Sequence, residues 1–260
     1  MLTNLYKLYQ YRYLLWMWIQ RDIKIRYKQS LLGIAWAIIQ PVSLMIIFSL
    51  IFSYFVRMPS DGLPYPIFSY IGILPWTLFA NSISFGVPSL VTNMNLITKI
   101  YFPREILSIT PVGSGLLDFG LGFLVFFLFM FFYRVPLHWT ILWVPFLMVI
   151  QVILTLGITL FASALNIFYR DIRFVVPLIL QIWFYASPII YSTSSVPGWL
   201  QGYYPLNPMV GIIDSYRRTV LLGQPPSLTY LMISSVLSIL LFLGAYGYFK
   251  VVEWKFADMI

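Results

Sequence analysis

Between Lys28 and Arg57 the chain carries no charged residue, an unbroken run of 28 positions. A helix crosses the ~30 Å hydrocarbon core of a bilayer with about 20 apolar residues, so this run is long enough to span one. The eight residues before it, RDIKIRYK from Arg21, hold five charges: Arg21, Asp22, Lys24, Arg26 and Lys28. On a helix Arg21, Lys24 and Lys28 share one face, and Asp22 can pair with Arg26 at i,i+4. Lys and Arg immediately before a span hold that end on the cytoplasmic side. One junction therefore sets both the solvent of the fold and its orientation.

Composition extends the argument to the whole chain. Of 260 residues, 60% are hydrophobic, 19% aromatic and only 9% charged, against about a quarter charged in soluble domains. Too little polar surface is available to cover a water-soluble globule. The net charge of +8 belongs to residues at the ends of apolar runs, so nucleic acid is not an expected partner. Cysteine is absent and there is one histidine, which excludes disulfides and thiolate metal sites. The apolar core 14–19 is too short for a cleavable signal, and no small-residue cleavage site follows it.

The fold class this implies is an all-α integral membrane protein, a single transmembrane domain over 1–260. Residues 1–30 form an amphipathic interfacial helix, with Leu5, Tyr9, Tyr13, Trp16, Ile19, Ile23 and Tyr27 at spacings of three and four; Leu14 to Ile19 is apolar all round. Spans are expected near 34–56, 65–92, 112–133, 141–168, 174–192 and 227–249. From Phe174 to Ile213 no charge occurs, yet Pro188, Pro197, Gly198, Gly202, Pro205 and Pro208 interrupt the run after about Tyr191. One span followed by broken apolar pieces re-entering the same leaflet fits this, since such backbone survives only when buried in protein or lining a wet cavity. Six spans place twelve basic residues (Lys7, Arg12, Arg21, Lys24, Arg26, Lys28, Lys99, Arg104, Arg170, Arg173, Lys250, Lys255) on the side of the termini. Four (Arg57, Arg134, Arg217, Arg218) fall on the other, so both termini are expected in the cytoplasm.

Few residues carry chemistry. Asp118 is the ionisable residue deep in a span, where a carboxylate costs about 2.5–3.5 kcal/mol on insertion scales. It reads as an ion or proton site, or as a hydrogen-bonded carboxyl against Gly113, Gly115, Gly120 and Gly122. No relay of partners is visible, which favours the second. Mildly polar stripes recur at helical spacing: Tyr70, Thr77, Asn81 and Ser84; Gln151, Thr155, Thr159 and Asn166; Gln181, Tyr185 and Ser192. Helix packing accounts for such residues, and aromatic faces among them could stack on sugar rings. The phosphate-binding motif G-x-x-x-x-G-K-[ST] is absent, as is any Ser–His or His–Glu constellation around His138. Most intramembrane enzymes need more ionisable residues than this, so an enzyme is not expected, nor is a metal site.

Four stretches, taken together, resemble the permease subunit of type-2 ABC exporters of lipid-linked polysaccharide, most of all the O-antigen exporters. They are RDIKIRYKQSLLGIAW from Arg21, NLITKIYFPREIL from Asn95, LNIFYRDIRFVVP from Leu165 and PLNPMVGIID from Pro205. Their order and their places relative to the spans make the resemblance cover essentially the whole chain. One departure is that proline after IYFPREIL comes only at Pro111. The resemblance implies a homodimer of six-span subunits in the cytoplasmic (inner) membrane, with two short re-entrant helices before the last span. It implies two copies of a separate ATPase subunit that hold the ATP and Mg, with no cofactor in this chain. The cargo implied is a polysaccharide on a lipid phosphate: O-antigen, with teichoic acid or capsule as the alternative. A different class, an ATP-independent lipid flippase or channel, has no need of a docking loop.

Roles follow on that reading. Lys99, Ile100, Tyr101, Phe102, Pro103, Arg104 and Glu105 form the loop expected to couple to the ATPase. Arg21, Lys24, Arg26 and Lys28 are expected at the lipid phosphate. Trp36, Gln181, Trp183, Tyr185 and Tyr191 are the candidates to line a channel for the sugar chain.

Overall fold

The computed structural model describes residues 2–28, 30–257 and 259, with side chains for 6–28, 30–256 and 259; Leu5 of the expected interfacial face lies outside these. The described residues are helical almost throughout and contain no strand. Two helices, α1 (Leu2–Gln10) and α2 (Arg12–Tyr27), replace the single expected interfacial helix and meet at Tyr11. The first long apolar segment starts as a 3-10 turn at Gly33–Ala35, continues as α3 (Trp36–Phe48) and ends in a wider π-helical turn, Ser49–Phe55. Next come α4 (Tyr65–Gly86), the short α5 (Ser89–Thr92) and α6 (Met94–Lys99). Pro88 ends the second long helix sooner than the apolar run alone suggests, because proline lacks the donor an α-helix needs. The long α7 (Glu105–Phe132) follows, then α8 (Val144–Phe168) and α9 (Ile172–Tyr185). A turn of helix, α10 (Gly198–Gln201), precedes α11 (Pro208–Val220) and α12 (Leu228–Val252).

Among the described residues, five helical segments are long and apolar enough to cross a membrane: 33–55, 65–86, 105–132, 139–168 and 228–256. The contacts between them give the chain direction. Tyr70 reaches the Gly122 carbonyl and Gly115 abuts Leu78, so α4 and α7 are antiparallel. Gln151 bonds the Pro75 carbonyl and Asn166 the Val87 carbonyl, so α4 and α8 are parallel. Gly157 packs on Phe242, and Phe168 on Phe256, so α8 and α12 are parallel as well. A chain that leaves α8 and enters a parallel α12 must return across the bundle in between. That return is made by α9 and the segment after it.

The return is only half helical, and here the sequence expectation is corrected. The helix ends at Tyr185, six residues before the expected break at Tyr191. Trp183 and Phe184 lie against Phe79 and Trp76, midway along α4, while the Ile190 carbonyl accepts from the Tyr65 hydroxyl at the start of α4. From Trp76 back to Tyr65 a helix rises about 16 Å, a distance that six extended residues cover comfortably. Ser187, Pro188, Ile189 and Ile190 are buried, as non-helical backbone at this depth requires. Gly72 permits the approach: a Cβ there would stand 2.9 Å from the Ile189 carbonyl oxygen.

Apolar packing falls into a central core and a second cluster at one end. The core joins α4, α7, α8 and α11 around Tyr70, Phe79, Phe126 and Tyr216. The second cluster gathers Phe102, Ile106, Ile167, Phe249 and Phe256, with Leu8, Tyr11, Leu15 and Trp18 of the N-terminal helices against it. Tyr9, Tyr13 and Trp16 point outward and are more than half exposed. The all-round apolar stretch of α2 thus has two apolar faces, one on protein and one free for lipid. In lipid the association of helices rests on close packing and polar contacts more than on a hydrophobic force. The stripe on α8 is buried throughout, and its two ends serve that purpose: Gln151 and Asn166 donate to carbonyls at and just after α4, while Thr155 and Thr159 donate to carbonyls of their own helix.

Candidate functional site

Around α2 the charged residues divide between two faces. Arg21, Lys24 and Lys28 share one, where with Met17, Gln20 and Ile25 they border an open depression of about 400 Å³. Arg21 lies over the Trp18 ring at 4.4 Å. Arg26, expected with them, turns the other way. Its guanidinium donates to Asp22 at 2.7 Å and to Asp118 at 3.4 Å and covers the Phe85 ring at 4.2 Å. Helical spacing explains the split, because Arg26 lies two residues from both Lys24 and Lys28, near the opposite side. The i,i+4 pair read from sequence, Asp22 with Arg26, is present.

Asp118 consequently has partners after all. Besides Arg26 it accepts the Tyr27 hydroxyl at 2.7 Å, and Asp22 accepts the Ser114 hydroxyl at 2.6 Å. Burial and the bond to Asp118 push the Tyr27 phenol above its ordinary range, so it stays a donor. The group fastens α2 along the first half of α7, with Ile19 seated on Gly113. No sequence periodicity could reveal this, since residues 22–27 and 114–118 meet only through the tertiary fold.

Beyond Arg26 and Tyr27 a cavity of about 350 Å³ opens between α2, α3, α4 and α7. Trp36, Gln40, Thr77, Asn81, Asp118 and Phe119 are among the residues that line it. Trp36, a channel candidate, therefore stands at this cavity. The other candidates separate. Gln181 and Tyr185 are exposed on the outer face of α9. Trp183 faces inward, edge-on to Phe79, and donates from its indole to Asn207 Oδ1 at 2.8 Å. Tyr191 belongs to the buried return segment and accepts the Tyr204 hydroxyl at 2.9 Å. Trp183 and Tyr191 hold the short helices against α9 and are not on the face of Gln181 and Tyr185, which corrects that grouping.

The expected coupling loop is likewise divided. Lys99, Ile100 and Tyr101 are exposed, Tyr101 by 84%. Pro103 and Arg104 are half-buried, and Arg104 donates to the Glu253 carbonyl. Phe102 and Glu105 are buried, so they are not presented at the surface with the rest of the expected coupling loop. Phe102 fills the second apolar cluster, and Glu105 accepts from Lys250 at 2.8 Å. The C-terminal turn, Glu253–Ala257, is what covers these side chains.

Arg217, counted as an outside loop charge, is 5% exposed within α11. Its two terminal nitrogens donate to the Ile189 carbonyl at 2.6 Å and the Tyr191 carbonyl at 2.9 Å. The guanidinium sits 3.8 Å over Phe68. Every other residue of α11 except Arg218 is buried. The helix opens on Asn207, whose side chain accepts the Met209 N–H at 3.0 Å, followed by Pro208, a side-chain cap and first-turn proline that both suit a helix start.

The chain matches the family model described as ABC-2 type transporter over residues 13–221. An O-antigen export system permease protein, RfbA, of Myxococcus xanthus is 31% identical over 257 residues, 98% of each chain. One from Klebsiella pneumoniae is 31% identical over 247 residues, 92% of each. The polysialic acid transport protein KpsM of Escherichia coli is 24% identical over 242 residues, 87% of this chain and 89% of that one. With most of its length inside the family model and relatives of this identity spanning nearly all of it, the chain belongs to the ABC-2 type transporter family.

Proposed function

We propose that this chain is the membrane-spanning subunit of an ATP-driven exporter of lipid-linked, O-antigen-type polysaccharide. The observation that carries the reading is the 31% identity to an O-antigen export permease over 98% of both chains. The polysialic acid transport relative shares less, 24% over 87% of this chain, so a capsule polymer is the weaker reading. In the working transporter two copies of this chain combine with two ATPase subunits, which hold the ATP and Mg. The basic face of Arg21, Lys24 and Lys28 supports a role in receiving the lipid phosphate, through charge-assisted hydrogen bonds. The charge distribution supports a cytoplasmic-membrane protein with both termini inside. Removing the gene and restoring it with its ATPase partner tests the reading. Polymer is expected to accumulate inside the cell without the chain and to reach the surface with it. Unchanged surface polymer in its absence would overturn the proposal.

A further inference from the structure

The cavity between α2, α3, α4 and α7 differs in chemistry from the basic face on the other side of α2. Its polar lining includes two carboxamides, Gln40 and Asn81, and neither bonds another described residue. Gln40 is exposed and Asn81 half-buried. The cavity's arginine has no charge to spare, because Arg26 divides its one guanidinium between Asp22 and Asp118. An anion would meet the Asp118 carboxylate in the wall and a guanidinium already shared by two carboxylates, so a phosphate is disfavoured. A lipid tail is disfavoured as well, since it would leave both carboxamides without partners, and an unpaired amide in an apolar medium is costly. The Trp36 side chain adds a half-exposed indole. At about 350 Å³ the space falls at the lower end of ordinary ligand sites.

Carboxamides donate and accept at once, as sugar hydroxyls do, and an indole face takes the C–H face of a sugar ring. We infer that this cavity is a binding site for an uncharged sugar unit of the cargo, separate from the basic face that takes its phosphate. The inference rests on the proposed export function and adds to it where the glycan is held.

The absence of native cysteine makes the test direct. Asn81→Cys and, separately, Gln40→Cys are introduced into the full transporter, and everted membrane vesicles are treated with impermeant cationic and anionic thiol reagents. With each rate divided by that reagent's rate on free cysteine, the cationic reagent is expected to react at least as fast as the anionic one, because Arg26 and Asp118 leave the wall without net positive charge. In vesicles from cells making the polymer, both rates are expected to fall about fivefold relative to cells that hold only the bare lipid phosphate. Gln40→Leu with Asn81→Leu is expected to lower export about tenfold with complex yield unchanged, the fold-change that about 1.4 kcal/mol of lost binding would give. No reaction at either cysteine, faster reaction with the anionic reagent, or equal protection by the bare lipid phosphate each overturns the site. Cysteine rates indifferent to polymer, beside wild-type export, sink the site and leave the export reading standing. A wild-type chain that moves no polymer removes both.

Discussion

Arg217 Nη2 donates to the carbonyl oxygen of Ile189 at 2.6 Å, in a part of the bundle where the chain crosses without a helix. Residues 186–191 lie outside any helix, and Arg217 supplies donors to two of their carbonyls. Arg217→Ala leaves both carbonyls without those donors, a loss of about 2–6 kcal/mol at about 1–3 kcal/mol for each unsatisfied group. Thermal unfolding of the purified protein should show it as a lowered midpoint. Arg217→Lys should recover only part, since one ammonium does not reproduce the planar fork. An alanine variant as stable as wild type would sink this account of the segment.

Asp118 offers a sharper contrast between substitutions. The Tyr27 hydroxyl at 2.7 Å and Arg26 at 3.4 Å make it the fastening point of α2 on α7. Asp118→Asn keeps an acceptor for Tyr27, so export within about twofold of wild type is expected. Asp118→Ala removes the acceptor and should loosen α2 by about 1–3 kcal/mol, read as faster proteolysis between α2 and α3. Were Asp118 a proton carrier, the asparagine variant would be as inactive as the alanine one. Transport assays on the pair decide between the two roles.

How far the sequence revealed these arrangements depends on what marks each element. Spans bounded by charges, such as 33–55 after Lys28 and 228–256 before the C terminus, were readable from hydropathy and the basic ends. The α8 stripe was readable because buried polar residues keep helical spacing. The half-helical return was not located correctly: the expected break falls after about Tyr191, although Pro188 already lies only three residues beyond the helix end at Tyr185. Two of its carbonyls accept from Arg217, which lies in a different helix and looks like a loop charge in the sequence. The grouping of Arg26 with its basic neighbours failed for a related reason: its carboxylate partner, Asp118, is 92 residues away.

The basic face should matter to transport and not to insertion. Arg21, Lys24 and Lys28 border one depression, and near an anionic surface each contributes about 1 kcal/mol. Reversing all three to Glu should cut export about tenfold or more while the protein still reaches the membrane. Arg26→Glu should act differently, lowering stability by placing a third carboxylate beside Asp22 and Asp118. Normal export by a correctly inserted triple variant would refute the phosphate role.

Sidedness has a direct readout because no native cysteine must be removed. Gln10, Ser194 and Met259 are all exposed, so single cysteines at these positions will meet reagent if water reaches them. Impermeant label applied to intact spheroplasts should reach position 194 and miss 10 and 259. Outside labelling at either terminus would reverse or break the proposed topology.

The loop from Lys99 to Glu105 yields the most discriminating pair of substitutions. Tyr101 is 84% exposed and its neighbour Phe102 is 8% exposed, so two adjacent aromatics stand in opposite environments. A large exposed aromatic beside Lys99 and the half-buried Arg104 is the composition of an interface anchor, and under the proposed function its partner is the ATPase. Tyr101→Ala should therefore leave stability unchanged and weaken complex formation about tenfold or more, equal to about 1.4 kcal/mol or more. Phe102→Ala should do the reverse. Its ring packs in the cluster with Ile106 and Phe256, so truncation leaves a cavity costing about 3–5 kcal/mol of stability, with binding per folded molecule little changed. Thermal midpoints measured alongside co-purification with the ATPase separate the two effects. If Tyr101→Ala forms complex in wild-type yield and export stays coupled to ATP turnover, the docking surface lies elsewhere. If Phe102→Ala loses the complex at full stability, the loop must open on binding and expose a residue that the free subunit keeps buried.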